Sequence, residues 1–219
     1  MNINIKNCKV HLITGTETMN ISSLEETKDA GIIGMQRTYT LAGFLARKDE
    51  VNIGDRVKLP SFTVPEHVIA GDDDMKFDEI HINDEYAAVA GRDKNGLLLK
   101  FERILFNSAV DFNGETEFSK TQQGQYLGGA FKEAMNSAGI PADSCRLIFK
   151  EEMFGDSRLE FFKTGRNRIA FDKDEDFSIW CWLGTAYGVT GFCGVGSHGD
   201  AGYYSAAIVG AVSPALYIR

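Results

Sequence analysis

The sequence lacks the features that mark fibrous, disordered or membrane-spanning chains. Its 219 residues include only 4 prolines, no long apolar run and no cluster of Lys and Arg. This composition excludes a collagen-like or low-complexity chain, and we expect no membrane insertion. The net charge of −8 offers no basic surface for phosphates, so we also expect no nucleic-acid partner.

Cysteines are few, and their spacing matches no zinc site. No CxxC pair occurs, and the N-terminal segment lacks the charged region, apolar region and cleavage site of a secretory signal. A chain of this length can bury a core without disulfides. We expect no cofactor and no metal, and free, mostly buried thiols at Cys8, Cys145, Cys181 and Cys193.

Apolar periodicity predicts an α+β domain. Residues 86–91 and 97–105 flank Asn95-Gly96, which predicts a hairpin. A helix is predicted from Thr121 to Ala138, because apolar residues recur every four positions until Gly139-Ile140-Pro141. The remaining predictions are strands through Ile3, Ile5, Val10 and Leu12 and at 56–64, 145–149 and 159–162, a short helix at 24–28, and a charged surface loop at 172–176.

Charge is almost missing from the C-terminal region. Asp200 is the single formally charged residue in 177–218, and 8 of the 27 residues from Gly184 to Gly210 are glycine. This pattern predicts short strands separated by glycine-rich turns, with a buried set of Trp182, Leu183, Val189, Phe192, Val195, Ala201 and Val212. The Tyr, Ser and Thr between them are typical of binding surfaces, although a plain glycine-rich meander has the same composition.

Four C-terminal motifs resemble a known domain family. They are W-x-W-L-x-T at 180–185, G-F-C-x-V at 191–195, S-x-G-x-A at 197–201 and V-S-P-A-L-Y-I at 212–218. They are similar to the C-terminal signature of a family found in gut bacteria and their phages. That family resembles a branch of the C-type-lectin fold that includes formylglycine-generating enzymes and the variable proteins of diversity-generating retroelements. The resemblance covers residues 56–219.

The resemblance implies a fold, a division of the chain and a function. The fold would be C-type-lectin-like, with short twisted antiparallel strands, one main amphipathic helix and a glycine-rich C-terminal β region. Residues 56–219 would bind a ligand through a variable-type segment at 183–210. The resemblance does not extend to residues 1–55, which we expect from their own pattern to be a β or irregular N-terminal extension, either an arm for attachment or oligomerisation or a first β layer. The function would be non-catalytic receptor binding or display. The partner would be a macromolecule, either a protein or a surface glycan, and both a homo-oligomer and a virion-associated or cytoplasmic location are compatible with this.

The resemblance also assigns ligand-facing positions between scaffold residues. Tyr187, Tyr203 and Tyr204 would be anchors, and His198 and Asp200 would be polar specificity contacts. The scaffold would be Trp180, Trp182, Phe192, Cys193, Val195, Val212, Pro214 and Leu216. The full ligand-facing set would be Ala186, Tyr187, Gly188, Thr190, Gly194, Gly196, His198, Asp200, Gly202, Tyr203, Tyr204, Ile208 and Val209.

Retroelement variable proteins predict a compositional footprint. Mutation of adenines in Asn codons cannot yield Lys, Glu, Gln, Met or Trp. These five types occur 40 times in residues 1–182 and never in 183–219. The absence agrees with diversification, and a natural glycine-rich end of low charge would show it as well.

Catalytic and metal-binding alternatives are weaker. Ser197, His198 and Asp200 have the residue types of a hydrolase triad, but neighbours on an extended strand point to opposite faces. The acidic run from Asp172 lacks the glycine and the final glutamate of an EF-hand loop. A formylglycine-generating enzyme would use Cys181 and Cys193 to hold copper, whereas buried scaffold thiols are the simpler interpretation. A structural virion or assembly protein of the same fold is the non-enzymatic alternative.

Overall fold

The molecule combines many short strands with a few helices. The computed structural model describes residues 11–14, 17–20, 36–71, 75–172 and 178–219, and the strands in these ranges form five sheets. The mixed composition agrees with the predicted α+β class. Within the described ranges, no helix is long and apolar enough to cross a membrane.

The elements follow one another with short connections. The helices are α1 (Leu41–Ala46), α2 (residues 122–137) and α3 (Lys150–Phe154), with 3₁₀ turns at Phe118–Lys120, Glu160–Lys163 and Gly165–Arg168. The strands are β1 (His11–Thr14), β2 (Glu17–Asn20), β3 (Arg37–Thr40), β4 (Arg56–Lys58), β5 (Phe62–Val64), β6 (His67–Ile69), β7 (Met75–Phe77), β8 (Ile80–Ile82), β9 (Tyr86–Asp93), β10 (Gly96–Phe101), β11 (Phe106–Ser108), β12 (Ser144–Arg146), β13 (Ala170–Phe171), β14 (Ser178–Ile179), β15 (Cys181–Tyr187), β16 (Gly191–Val195), β17 (Ala201–Ser205), β18 (Gly210–Val212) and β19 (Ala215–Ile218).

The largest sheet has eight strands in the order β1-β2-β3-β4-β9-β10-β19-β12. The predicted hairpin is confirmed as β9 and β10, with Gly96 paired to Asp93 across the turn. Gly96 has a φ of +119°, and a β-carbon there would collide with the backbone of Ile218. Glycine is therefore required at this turn, because only glycine adopts this φ freely and leaves room for β19.

Both faces of β10 are buried, in two different apolar clusters. Leu97 and Leu99 belong to the cluster that also contains the buried side of α2. Leu98, between them, belongs to a second cluster, which is formed partly by Ile148 and Phe162. Alternate residues of a strand point to opposite faces, so burial on both sides explains the continuous apolar run in this strand.

The predicted main helix is confirmed as α2. Thr121 caps its N-terminus by accepting a hydrogen bond from the Gly124 backbone N–H at 2.9 Å. Leu127, Phe131 and Met135 are all buried in the first cluster, as the four-residue period predicts. Residues 127–131 form one π-helical turn in the middle of the helix.

Several sequence predictions for local structure are wrong or too long. Residues 56–64 form two strands in different sheets, β4 and β5, because Pro60 interrupts the ladder. The strand expected at 159–162 is a 3₁₀ turn whose Phe161 and Phe162 pack together edge to face. The strand expected at 145–149 ends at Arg146, and the one expected at 97–105 ends at Phe101.

Other predictions lie wholly or partly outside the described residues. These are the short helix at 24–28, the acidic loop beyond Asp172, and the N-terminal strand positions other than Leu12, which lies in β1.

Residues before position 56 contribute to the main core. Tyr39, Phe44 and Val51 belong to the first apolar cluster, and β3 pairs in parallel with β4. The buried Asp55 carboxylate accepts hydrogen bonds from the Arg37 guanidinium. The division of the chain at residue 55 stays a prediction, and the structure adds that residues 37–55 pack against the core formed by later strands.

Candidate functional site

The five-stranded sheet carries an exposed apolar surface at one end. The sheet has the order β11-β18-β15-β16-β17, so β17 lies at its edge. Most exposed large apolar side chains in the described residues lie between 187 and 209, including Val189 at 75% exposure, Tyr203 at 62% and Tyr187 at 51%. We call the following residues the tyrosine surface: Tyr187, Val189, Thr190, Tyr203, Ile208 and Val209.

Two tyrosine rings stack at the centre of the tyrosine surface. The ring centroids of Tyr187 and Tyr203 are 4.1 Å apart, and the ring planes differ by 17°. The rings come from β15 and β17, and the strand between them, β16, places Gly191 opposite Tyr187. A β-carbon on Gly191 would lie 2.9 Å from the Tyr187 carbonyl oxygen and 3.0 Å from that of Tyr204. Glycine at this point therefore lets the three strands approach closely.

A second aromatic stack supports the same sheet from the side of the main core. The Trp180 and Tyr204 rings are 4.1 Å apart at an angle of 25°, and Trp180 meets Trp182 edge to face. The Trp182 indole N–H donates to the Ser108 carbonyl at 2.9 Å. A β-carbon on Gly210 would collide with the Trp180 ring. This stack is half-buried at Trp180 and Tyr204 and fully buried at Trp182.

Tight turns fix the loops around the tyrosine surface. Gly188, after β15, has a φ of +67°, which glycine adopts without strain. The Ala206 backbone N–H donates to the Thr190 carbonyl at 2.9 Å, and the Ile208 N–H donates to the Ser205 carbonyl at 3.0 Å. These bonds hold the 206–209 segment beside the β15–β16 turn.

The predicted polar contacts lie at the opposite end of the β16–β17 hairpin. His198 and Asp200 are exposed in the turn at 196–200, where the Gly196 N–H donates to the Asp200 carbonyl at 2.7 Å. Tyr187 lies level with Ser205, five residues or about 15 Å of extended strand from Asp200, whereas Tyr203 lies three residues or about 10 Å from Asp200. The structure therefore brings Tyr187 and Tyr203 together and places Asp200 about 10 Å from Tyr203 along the strand.

The thirteen predicted ligand-facing residues differ in exposure. Gly194 is buried, and a β-carbon there would lie 3.0 Å from both the Tyr204 ring and the Cys181 carbonyl oxygen. Four residues are half-buried: Ala186, Gly196, Gly202 and Tyr204. Eight are exposed: Tyr187, Gly188, Thr190, His198, Asp200, Tyr203, Ile208 and Val209.

Two residues of the predicted buried set are in fact exposed. Val189 lies in the turn after β15 and Ala201 begins the edge strand β17. Both fit the apolar pattern of the sequence, but a turn and a strand edge have no second layer above them. Trp182, Leu183, Phe192, Val195 and Val212 are buried as predicted.

Ser197, His198 and Asp200 do not form a triad in the described part of the chain. They lie in a turn, so the expectation of an extended strand there is wrong. The Ser197 hydroxyl lies 3.2 Å from His198 Nδ1, yet no hydrogen bond joins His198 to Asp200 among the described residues. The histidine therefore lacks the carboxylate that would orient it as a base.

The cysteines that the structure describes are buried thiols. Cys145, Cys181 and Cys193 are free and buried, in agreement with the prediction, and Cys8 lies outside the described residues. Burial raises the pKa of Cys181 to about 12, and it also raises the pKa of Cys193. A protonated, enclosed thiol is a weak metal ligand and a weak nucleophile, because both roles need the thiolate.

An apolar pocket that no pattern in the sequence predicts lies near the sheet. It has a volume of about 510 Å³, and its walls include Phe118, Phe149, Thr185 and Ala186. Gly184 helps to form it, since a β-carbon there would lie 2.9 Å from the Phe149 ring. Its separate walls come from α3, β15 and the 3₁₀ turn at Phe118–Lys120, which are distant in sequence.

Comparison of the chain with protein families, with curated proteins and with solved structures found no match.

Proposed function

We propose that this chain is a non-catalytic binding protein of C-type-lectin-like fold, in which the tyrosine surface recognises a macromolecular partner. The observation that carries the proposal is the exposed stack of Tyr187 on Tyr203, surrounded by exposed Val189, Ile208 and Val209. Clustered apolar exposure of this kind is typical of interaction sites. Tyrosine is also favoured at binding surfaces, because it supplies contact area at a low entropy cost.

The low charge of the region favours recognition by contact area. Within 178–218 the single formally charged side chain is Asp200, which lies three residues before Tyr203. The rest of the protein carries the acidic excess. A partner would therefore meet rings, methyl groups, hydroxyls and backbone, and ionic strength should affect its affinity little.

The spacing of the exposed residues favours a large partner. Asp200 lies just before the edge strand β17, Tyr203 lies in the middle of that strand, and Tyr187 lies level with its far end. A ligand that contacts Asp200, Tyr203 and Tyr187 together must extend over about 15 Å. A protein or a glycan chain has this length.

We further propose that the segment 183–210 is diversified by a retroelement. Exposed side chains such as Tyr187 and Thr190 could change without disturbing the core, whereas Trp182 and Phe192 could not. Missing Lys, Glu, Gln, Met and Trp in 183–219 supports this mechanism.

Sequencing the 3′ end of the gene across a population tests this proposal. We expect a nearby near-copy of codons 183–210 that differs at adenines, with variation at Tyr187, His198 and Tyr203 and constancy at Trp182 and Phe192. Absence of both the copy and the variation would refute diversification. Uniform sequence in all isolates would instead favour a fixed structural protein of a virion or assembly.

A displayed library tests the binding surface itself. One library randomises Tyr187, Thr190 and Tyr203, and a matched library randomises Trp182, Gly191 and Phe192. We expect folded protein in most members of the first library and in few members of the second. Equal loss of folding in both libraries would contradict a surface whose residues vary independently of the scaffold.

A further inference from the structure

A polar pocket lies away from the tyrosine surface. It has a volume of about 740 Å³, within the range of small-molecule sites. Its walls come from β4, β9, β10 and the 3₁₀ turns between residues 160 and 169. Every residue that lines it lies between Gln36 and Phe171, so none belongs to the C-terminal segment that forms the tyrosine surface.

Lys100 forms part of the inner wall of this pocket and is 5% exposed. Its ammonium donates to the Phe101 carbonyl at 2.9 Å and to the Ser213 hydroxyl at 3.2 Å. Glu85 and Glu102 line the same pocket, but Lys100 Nζ forms an ion pair with neither of them in the described part of the chain. A lysine ammonium has three N–H donors, so one donor remains for a further acceptor.

A buried ammonium without an ionic partner is unfavourable. Burial is the largest influence and lowers the pKa of Lys100, while charge interactions with Cys181, Glu102 and Glu85 act in the opposite direction. Lysine is almost never fully buried unless it is paired, because transfer of an uncompensated charge from water costs several kcal/mol. An anion in the pocket would supply the missing partner.

The pocket is lined by four basic side chains and three acidic ones, which leaves an excess of one positive charge: Arg56, Lys100, Arg103 and Arg166 against Asp84, Glu85 and Glu102. Asp84 at the rim is paired with Lys58. Arg56 is paired with Glu102 through two hydrogen bonds and lies over the Tyr86 ring. Arg166 lines the pocket and is exposed at its rim. The Arg166 guanidinium has no ion pair in the described part of the chain. The cavity therefore has one cation at its inner wall, Lys100, and one at its rim, Arg166. Neither of them forms an ion pair with an acidic side chain in the described ranges.

We propose that this pocket binds a small molecule with a carboxylate or phosphate group, which accepts a hydrogen bond from Lys100 Nζ and an ionic contact from Arg166. Phe161 and Ile169 give the same cavity an apolar wall for the carbon skeleton of the ligand. This site is separate from the proposed partner surface, and it can exist whether or not that surface is diversified.

Titration calorimetry with two probes tests the pocket. Inorganic phosphate and succinate are titrated into the full chain, with sodium chloride at the same ionic strength as the reference. Lys100→Met removes the inner cation and keeps an unbranched side chain. Arg166→Ala removes the outer cation, and Arg158→Ala is the matched control, because Arg158 is exposed and does not line the pocket.

We expect one-to-one binding of at least one probe, weakened about tenfold or more by Lys100→Met or Arg166→Ala and unchanged by Arg158→Ala. Binding of phosphate alone would identify a phosphate-bearing ligand, and binding of succinate alone a carboxylate. The proposal is overturned if neither probe binds more than chloride does, or if both pocket variants bind as the unsubstituted chain does. Should Lys100→Met fail to fold, the surface variant Arg166→Ala still decides the outcome.

Discussion

Two aromatic stacks in the same region have nearly the same geometry and opposite surroundings. The ring centroids are 4.1 Å apart both in Tyr187–Tyr203 and in Trp180–Tyr204. The first stack is exposed and held by strands alone, whereas the second is wedged between Gly210 and the buried Trp182. Two stacks with the same ring separation can therefore contribute differently to the free energy of unfolding, because a substitution in the second stack also disturbs its buried neighbours.

The largest effect is expected at the buried end of the second stack. Trp182→Ala should lower the free energy of unfolding by about 3–5 kcal/mol, because it leaves a cavity in the core. It also leaves the Ser108 carbonyl without the indole donor. Urea denaturation followed by circular dichroism measures the free energy of unfolding of both proteins. A loss below about 1 kcal/mol would contradict the view that Trp182 supports the sheet.

A glycine beside the second stack should be nearly as sensitive. Gly210→Ala forces a methyl group into the Trp180 ring and should cost about 1–3 kcal/mol. Gly128→Ala is the control, because no heavy atom lies within 4 Å of a β-carbon there and α2 should gain up to about 1 kcal/mol. Thermal melts measure the melting temperatures of both variants. Equal shifts in melting temperature would show that crowding against Trp180 does not cause the destabilisation by Gly210→Ala.

Substitution of two neighbouring tyrosines on β17 compares the two stacks directly, because Tyr203 belongs to the exposed stack and Tyr204 to the half-buried one. Tyr204→Ala removes the half-buried ring and should destabilise the protein by about 1–2 kcal/mol, whereas Tyr203→Ala should change stability by less than about 0.5 kcal/mol. Denaturant titrations of the two variants give both values. A larger loss for Tyr203→Ala would mean that the exposed stack is structural and would weaken its assignment to binding.

The smallest expected effect is the coupling within the exposed stack. A double-mutant cycle of Tyr187→Ala and Tyr203→Ala should give an interaction free energy of about 0.2–0.4 kcal/mol, because the stack is exposed to solvent. The cycle uses unfolding free energies of the two single variants and the double variant. Strict additivity would indicate that the rings do not stack in solution.

Local patterns in the sequence predict the elements that short-range physics determines. The period of Leu127, Phe131 and Met135 predicts α2, and Asn95-Gly96 predicts the β9–β10 turn. Both depend on residues a few positions apart. The turn at Glu160–Lys163 escapes prediction, because two adjacent phenylalanines fit a strand and a buried 3₁₀ turn equally well.

The candidate sites depend more on distant contacts, so the sequence predicts them less completely. The exposure of Tyr187 and Tyr203 agrees with their predicted ligand-facing positions, but their stacking depends on the register of three strands and on a bulge in β15. Lys100 lies in an apolar strand, and the sequence around it contains no pattern that predicts a pocket. Its significance comes from Arg166 and from a wall formed by residues 160–169.

The position of the tryptophans has an optical consequence. The chain contains two tryptophans, and both belong to the edge-to-face pair beneath Tyr204. All intrinsic indole emission therefore originates directly behind the sheet that carries the tyrosine surface. A partner that shifts β17 would change the wavelength or intensity of this emission, so association could be followed without a label.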